Sequence, residues 1–349
     1  MKYNILGDTG LAVSELCLGT MTFGGEGFWE AIGTQTQEQA DELVQRSVEA
    51  GINFIDTANI YSFGQSEEIL GNSLKRLELN REELIIASKV RGAMGEGINN
   101  QGLSRFHIFN SVERSLKRMQ IDYMDILYVH GVDSSVSIRE IMRSLNDIVE
   151  SGRVRYIGVC NWPAWMVMKA QGIARQEGWH EFKAMQYYYS IAGRDAEDAL
   201  LPLSESEGLG FMPWSPLAGG FLSGKYTREK EQAGEGARRD AFDFPPVDKE
   251  QGYDIVDKMK LIADQHEVSI AEVALAWVRL KQGVTSTIIG AKNMKQLASN
   301  LRSVEIELSA GELQQLDEVS ATPDRYPFWM VAFQDANRLP EKTNDENEA

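Results

Sequence analysis

The chain has 349 residues, a hydrophobic fraction of 43%, a charged fraction of 25% and a net charge of -17. Such a balance is that of a globular protein with room for a large core, so disordered and fibrous classes are set aside. Its acidity repels nucleic-acid phosphates and anionic lipid, which removes nucleic acid and membrane from the expected partners. The cysteines, Cys17 and Cys160, are far apart and form neither a disulfide framework nor a CxxC motif, and no metal is expected. The opening MKYNILGDTG has no apolar signal core, and no apolar run reaches membrane-spanning length, so the expected setting is cytoplasmic. Oligomeric state is not legible.

Taken in chain order, Tyr3–Leu6 and Ala12–Ser14 flank the turn-like GDTG and predict a β-hairpin suited to plug one end of a larger sheet. Short apolar runs then predict strands at Leu16–Gly19, Asn53–Ile55, Leu84–Ser88, Met124–Val129, Val154–Val159, Ala184–Tyr187, Gly210–Trp214 and Ser286–Ile289. Amphipathic stretches between them predict helices at Gln37–Ala50, Ser66–Leu77, Ser104–Met119, Ser137–Ser151, Pro163–Glu177, Glu197–Glu207, Ile270–Leu280 and Met294–Leu301. Thr36 is placed to cap the first helix, and Pro163 suits a first helical position. Eight strands alternating with eight helices imply an α/β protein of the (β/α)8 TIM-barrel type, with a doubly wound open sheet as the alternative. One domain is expected over residues 1–337, followed by a disordered acidic tail at 338–349. Residues 215–250 form an unusually long Gly-rich, charged connection, whose tip, EKEQAGEGARRD, reads as mobile.

Four polar residues stand at the ends of early apolar runs: Asp56, Tyr61 just beyond it, Lys89 and His130. In a parallel barrel, residues ending consecutive strands converge at one mouth. An ammonium beside a phenol favours phenolate and lowers its pKa, a carboxylate keeps that ammonium charged, and an imidazole can orient a substrate oxygen. Each residue alone also fits a structural role, Lys89 with Asp56 as an ion pair and Tyr61 as a loop aromatic. Their coincidence of type and position points to proton transfer at a carbonyl.

DTANIYSFGQSEEILG (Asp56–Gly71), the strand ending in Lys89, and MDILYVHGVD (Met124–Asp133) resemble the aldo-keto reductase superfamily across nearly the whole chain. The resemblance implies a (β/α)8 barrel, a catalytic Asp56, Tyr61, Lys89, His130 tetrad with Tyr61 as general acid, and a nicotinamide cofactor. GVCNW (Gly158–Trp162) is similar to the family's carboxamide-binding GVSNF, implying Cys160 in the place of serine, and Asn161; Gln186 matches the other carboxamide ligand. PWSPLAGGFLSGKY (Pro213–Tyr226) resembles the stacking and pyrophosphate segment, implying Trp214, Ser215, Pro216, Leu217, Gly219 and Lys225. The same stretch fits most of a P-loop, but Tyr226 stands where magnesium binding needs Ser or Thr. IIGAKNMKQLASN (Ile288–Asn300) resembles the adenosine-phosphate segment, implying Gly290, Lys292, Gln296 and Asn300, with Ser299 replacing a usual acid.

The resulting expectation is an oxidoreductase that transfers hydride from NADPH to an aldehyde or ketone, with NADH as the alternative cofactor and a small carbonyl compound as partner. Phe23, Phe28, Trp29 and Trp162 are expected to shape an apolar substrate pocket, with Met21, the Arg91–Gly102 loop and Phe328–Trp329 as further contributors. The alternative from another class is an auxiliary cofactor-binding subunit, since the resemblance extends to potassium-channel β-subunits.

Overall fold

Every apolar run expected to be a strand forms one. In the computed structural model, which describes residues 1–25, 27–230, 234, 238–323 and 325–336, β1 (Tyr3–Ile5) and β2 (Ala12–Ser14) pair antiparallel with Tyr3 opposite Ser14. The parallel strands follow as β3 (Leu16–Gly19), β4 (Phe54–Asp56), β5 (Ile85–Val90), β6 (Met124–Val129), β7 (Val154–Cys160), β8 (Phe182–Tyr188), β9 (Gly210–Trp214) and β10 (Thr287–Ile289). They form an eight-stranded sheet in the order β10-β3-β4-β5-β6-β7-β8-β9. A bridge between Phe211 and Val284, and the 2.8 Å bond from Thr285 N to Phe211 O, bring its two edges together. This is a nearly closed (β/α)8 barrel rather than an open sheet. The expected tail at 338–349, and residues 231–233 and 235–237 of the loop tip, lie outside the described residues.

Successive side chains on a strand point to opposite faces, which divides the core into an inner and an outer layer. Phe54, Ile85, Ala87, Ile126, Tyr128, Ala184 and Met212 pack with Leu6, Cys17 and Cys160 inside the barrel. Their chain neighbours Ile55, Ile86, Leu127, Met185 and Phe211 belong to the outer layer against the helices. Two residues beyond an inner position, toward the carboxyl ends, stand Asp56 after Phe54, Lys89 after Ala87, His130 after Tyr128, Gln186 after Ala184 and Trp214 after Met212. The same alternation that fills the barrel therefore delivers polar groups to its mouth. The hairpin closes the opposite end: Leu6 is fully buried, and Asp8 N donates to Gly208 O at 3.0 Å, just before β9 begins.

The helices follow the amphipathic stretches within a residue or two. Thr36 forms a capping box with Gln39. Pro163 is corrected from first helical position to cap residue of helix Ala164–Glu177, because its extended ψ of 145° lies outside the helix. A helix at Lys249–His266 goes beyond the expected set: Asp248 caps it, but Gly252 and dense charge obscure its apolar stripe of Tyr253, Val256, Met259 and Ile262. Helices Ala310–Val319 and Phe328–Ala336 are likewise additional. The P-loop reading that Tyr226 already opposes fails structurally too, since residues Ala218–Ser223 form a short 3-10 turn with left-handed glycines at 219 and 220 and no helix follows Lys225 directly.

Candidate active site

Asp56 and Lys89 are almost completely buried where β4 and β5 end, and they form an ion pair. Lys89 Nζ also donates to Thr57 O at 2.9 Å and to the Tyr61 hydroxyl at 3.2 Å. The second Asp56 oxygen, Oδ1, accepts from Gln186 Nε2 at 2.8 Å. Tyr61 and His130 meet edge to face with ring centroids 5.9 Å apart, and Trp29 covers another side of Tyr61 at 5.5 Å. The structure thus brings all the expected tetrad residues together. An unusual turn aims Tyr61: Ser62, Phe63 and Gly64 take φ values of 45°, 52° and 102° in succession. Left-handed non-glycine residues cost roughly 1–3 kcal/mol each and persist only where their surroundings hold them. Here Ser62 Oγ donates to Phe23 O at 3.2 Å.

Burial opposes charge throughout this cluster. It raises the Asp56 pKa, against the lowering effect of Lys89 and of hydrogen bonds from Lys89 and Gln186. Burial would neutralise Lys89, but Asp56 reverses this and holds the ammonium above its ordinary value. Burial also raises the Tyr61 phenol; Lys89 pulls it down, yet the net displacement is upward. This corrects the sequence expectation of a lowered phenol, because the sequence shows the ammonium and not the desolvation. His130 is pushed down to about 3 by burial and by the charges of Lys89 and Arg91. At neutral pH the mouth therefore holds a neutral phenol, a neutral imidazole and a charged lysine, a set able to give a proton and hydrogen bonds to an oxygen.

The residues expected to hold a cofactor ring the same mouth. Asn161, left-handed at φ 58°, donates to His130 O at 3.2 Å and accepts from Trp214 Nε1 at 3.1 Å. Cys160 is fully buried inside the barrel, where desolvation raises its thiol, and Gln186 is engaged with Asp56. Trp214 stacks on Phe244 at 5.8 Å and 14°. Ser215 begins the next turn in a left-handed conformation, leading through Pro216, Leu217 and Gly219 to the exposed Lys225. Beyond β10, Gln296 Oε1 accepts from Lys292 N at 2.7 Å, and Asn300 Nδ2 donates to Gly290 O at 3.1 Å. These two side chains shape the strand end, and Asn293 caps the helix that follows.

Arg238 was not among the sequence expectations. Its pKa is lowered mainly by burial and further by the charge of Arg239, against the opposing effect of the Tyr61 phenol, and its Nε is buried without a hydrogen-bond partner among the described residues. Lys292 is lowered by burial and by the charges of Arg238 and Lys225. Two cations thus crowd a third in an acidic protein. The only available signal was the Arg-Arg pair in a loop too irregular for periodicity to place.

The expected substrate residues divide. Trp29 lies on Tyr61, and exposed Phe28 meets Trp29 at 5.6 Å and Phe242 at 5.1 Å. Phe242 continues to Phe244 at 5.4 Å, so aromatic rings from two loops connect Tyr61 to Trp214. Phe23 and Trp162, by contrast, are each 1% exposed within the outer core, and Trp162 packs its edge on Phe182. Phe242 and Phe244 are further residues that the sequence did not single out.

A model of the aldo/keto reductase family matches residues 15–321. Versiconal hemiacetal acetate reductase of Aspergillus parasiticus is 34% identical over 340 residues, covering 91% of this chain and 96% of that protein. Norsolorinic acid reductase of Aspergillus flavus is 34% identical over 327 residues, covering 91% and 81% respectively. The norsolorinic acid reductase of Emericella nidulans is 36% identical over 315 residues, covering 88% and 79%. No described helix is long and apolar enough to cross a membrane, and no described cluster of ligating side chains could hold a metal.

Proposed function

The chain belongs to the aldo/keto reductase family, a family of oxidoreductases, and from that premise we propose that it reduces an aldehyde or ketone with NADPH, Tyr61 giving the proton. The observation that carries this reading is the Tyr61 hydroxyl held 3.2 Å from Lys89 Nζ, beside a neutral His130. Tyr61 keeps its proton at neutral pH because burial outweighs the lysine field, so the acid form needed for reduction is the resting form. Lys89 stabilises the phenolate left after transfer, and Asp56 keeps Lys89 charged while it does so. His130 is suited to donate a hydrogen bond to the substrate oxygen and fix its direction.

The site fits a phosphorylated dinucleotide: Lys292, with the charges of Arg238 and Lys225 acting on it, and the unpartnered Arg238 Nε make a place for anionic oxygen. A nicotinamide cofactor bound there would supply hydride to the carbonyl carbon. Asn161 and Gln186 would hold its carboxamide, Trp214 its ring, Ser215 and Leu217 its pyrophosphate, and Lys292 with Arg238 a 2′-phosphate. Trp214 now stacks on Phe244, so a ring on that face would take the place of Phe244. The Phe28, Trp29 and Phe242 rings make aromatic carbonyl compounds the first substrates to try, beside the norsolorinic acid and versiconal hemiacetal acetate for which two relatives are named.

NADPH oxidation against a panel of aromatic aldehydes and ketones tests the reading. The parent protein should turn over, while Tyr61→Phe should keep NADPH binding and lose about 10²–10⁴-fold in kcat, the range of general acid catalysis. Tight NADPH binding without turnover, unchanged by Tyr61→Phe, would instead favour an auxiliary binding role.

A further inference from the structure

The segment that carries Tyr61 continues into SEEILG, whose buried glutamate has no part in the chemistry just described. Glu67 is fully buried on the first turn of helix Gln65–Arg76. Its Oε1 accepts from Ser88 Oγ at 2.5 Å, and its Oε2 accepts from Arg118 Nε at 2.7 Å. Ser88 directly precedes Lys89 in β5, so one faces the helix layer while the other enters the barrel. Arg118 lies against Gly64, the last residue of the left-handed turn after Tyr61, where a Cβ would come within 2.8 Å of Arg118 Cδ. Arg118 can reach Glu67 because Gly71 lets the two helices touch: a Cβ there would stand 2.6 Å from Met119 O. One carboxylate therefore joins the strand holding Lys89 to the turn aiming Tyr61.

A buried ion pair is weak evidence for stability, since desolvation offsets its attraction. The placement of this pair is more telling, because Ser88 directly precedes Lys89 and Arg118 packs against the turn that follows Tyr61, the two groups that must meet at hydrogen-bond distance. Donor and acceptor separations of this kind tolerate little drift before the interaction weakens. We propose that Glu67 is a positioning residue: through Ser88 and Arg118 it fixes the separation of the Tyr61 hydroxyl and the Lys89 ammonium, and thereby the proton affinity of Tyr61. This rests on the reading of Tyr61 as proton donor.

The test compares the parent, Glu67→Gln and Ser88→Ala, with two readouts. Steady-state kinetics with NADPH and an aromatic aldehyde should show kcat for Glu67→Gln reduced about tenfold, with KM for the aldehyde within about twofold. Tyrosine labelled with ¹³C at Cζ, its Tyr61 signal assigned by loss in Tyr61→Phe, reports ionisation without turnover. Lys89, Asp56, His130, Cys160 and Arg238 face Tyr61 and are unchanged in these variants. Loosening the lysine contact removes a phenolate-stabilising charge, so the Tyr61 titration should move upward in Glu67→Gln and by less in Ser88→Ala. Parent-like kcat and Tyr61 titration in both folded variants, with only a lower melting temperature, would overturn the proposal. Should Glu67→Gln not fold, Ser88→Ala decides by the same criteria. A parent that does not reduce any aldehyde would count against the enzymatic reading alone, because the titration still judges Glu67.

Discussion

A buried ammonium and a buried carboxylate are each unfavourable alone, and at this barrel mouth Lys89 and Asp56 are tolerated through each other, Thr57 O and Gln186. Tyr61 and His130 stay neutral beside them, and their neutrality has measurable consequences. With its phenol raised, Tyr61 remains protonated across the neutral and mildly alkaline range, so the proposed reduction should run at constant kcat there and fall only above the ordinary phenol pKa of about 10. His130 gives a folding signature of definite sign. Its folded value of about 3 lies below the ordinary 6.5, so between those pH values the unfolded chain binds a proton that the folded one does not. Stability from this group is present above pH 6.5 and is lost as pH falls toward 3. Asp56, raised in the folded state, contributes with the opposite sign, so the comparison must be made against a variant. Urea unfolding of His130→Gln across this window should show a slope shallower by up to one proton, about 1.4 kcal/mol per pH unit. Equal slopes would show that His130 titrates normally in the folded protein.

Among the elements, the strands were the most legible, because an apolar run that must fill a barrel and then end at its mouth leaves a polar residue in the inner phase. Asp56, Lys89 and His130 follow that rule, and Gln186 and Trp214 follow it too. Two features were less legible for a local reason. The left-handed turn at Ser62–Phe63 has no composition signal apart from Gly64, since serine and phenylalanine are held there by neighbours rather than by preference. The connection after β9 has no period at all, yet it brings Arg238 beside Lys292 and Phe244 onto Trp214. Arg238→Met is therefore expected to weaken NADPH binding about tenfold, the equivalent of roughly 1.4 kcal/mol, and NADH binding much less. Fluorescence titration with both cofactors measures this, and equal losses for the two would place Arg238 away from the 2′-phosphate.

At the scale of the whole molecule, one end of the barrel is closed by the hairpin and the other is left to chemistry. Leu6 is the hairpin residue that enters the inner core, and no relaxation from outside can refill its place easily. Leu6→Ala should cost about 2–5 kcal/mol by equilibrium unfolding while leaving NADPH affinity near the parent value, because the hole lies at the far end from the cations. A large loss of NADPH affinity would show that the two ends of the barrel are coupled.

The sequence by itself determined the alternation of strands and helices and the identity of the polar strand ends, because periodicity and strand termination are local properties of the chain, while closure of the sheet into a barrel rests on the long-range contact of Phe211 with Val284 and Thr285. Tertiary structure decided which aromatics line the mouth: Phe23 and Trp162 went into the core, while Phe242 and Phe244 came over from a distant loop. It also decided the sign of the Tyr61 shift and the joining of Glu67 to Ser88 and Arg118. Desolvation and contact depend on what the rest of the chain places around a residue, and no window of sequence contains that information.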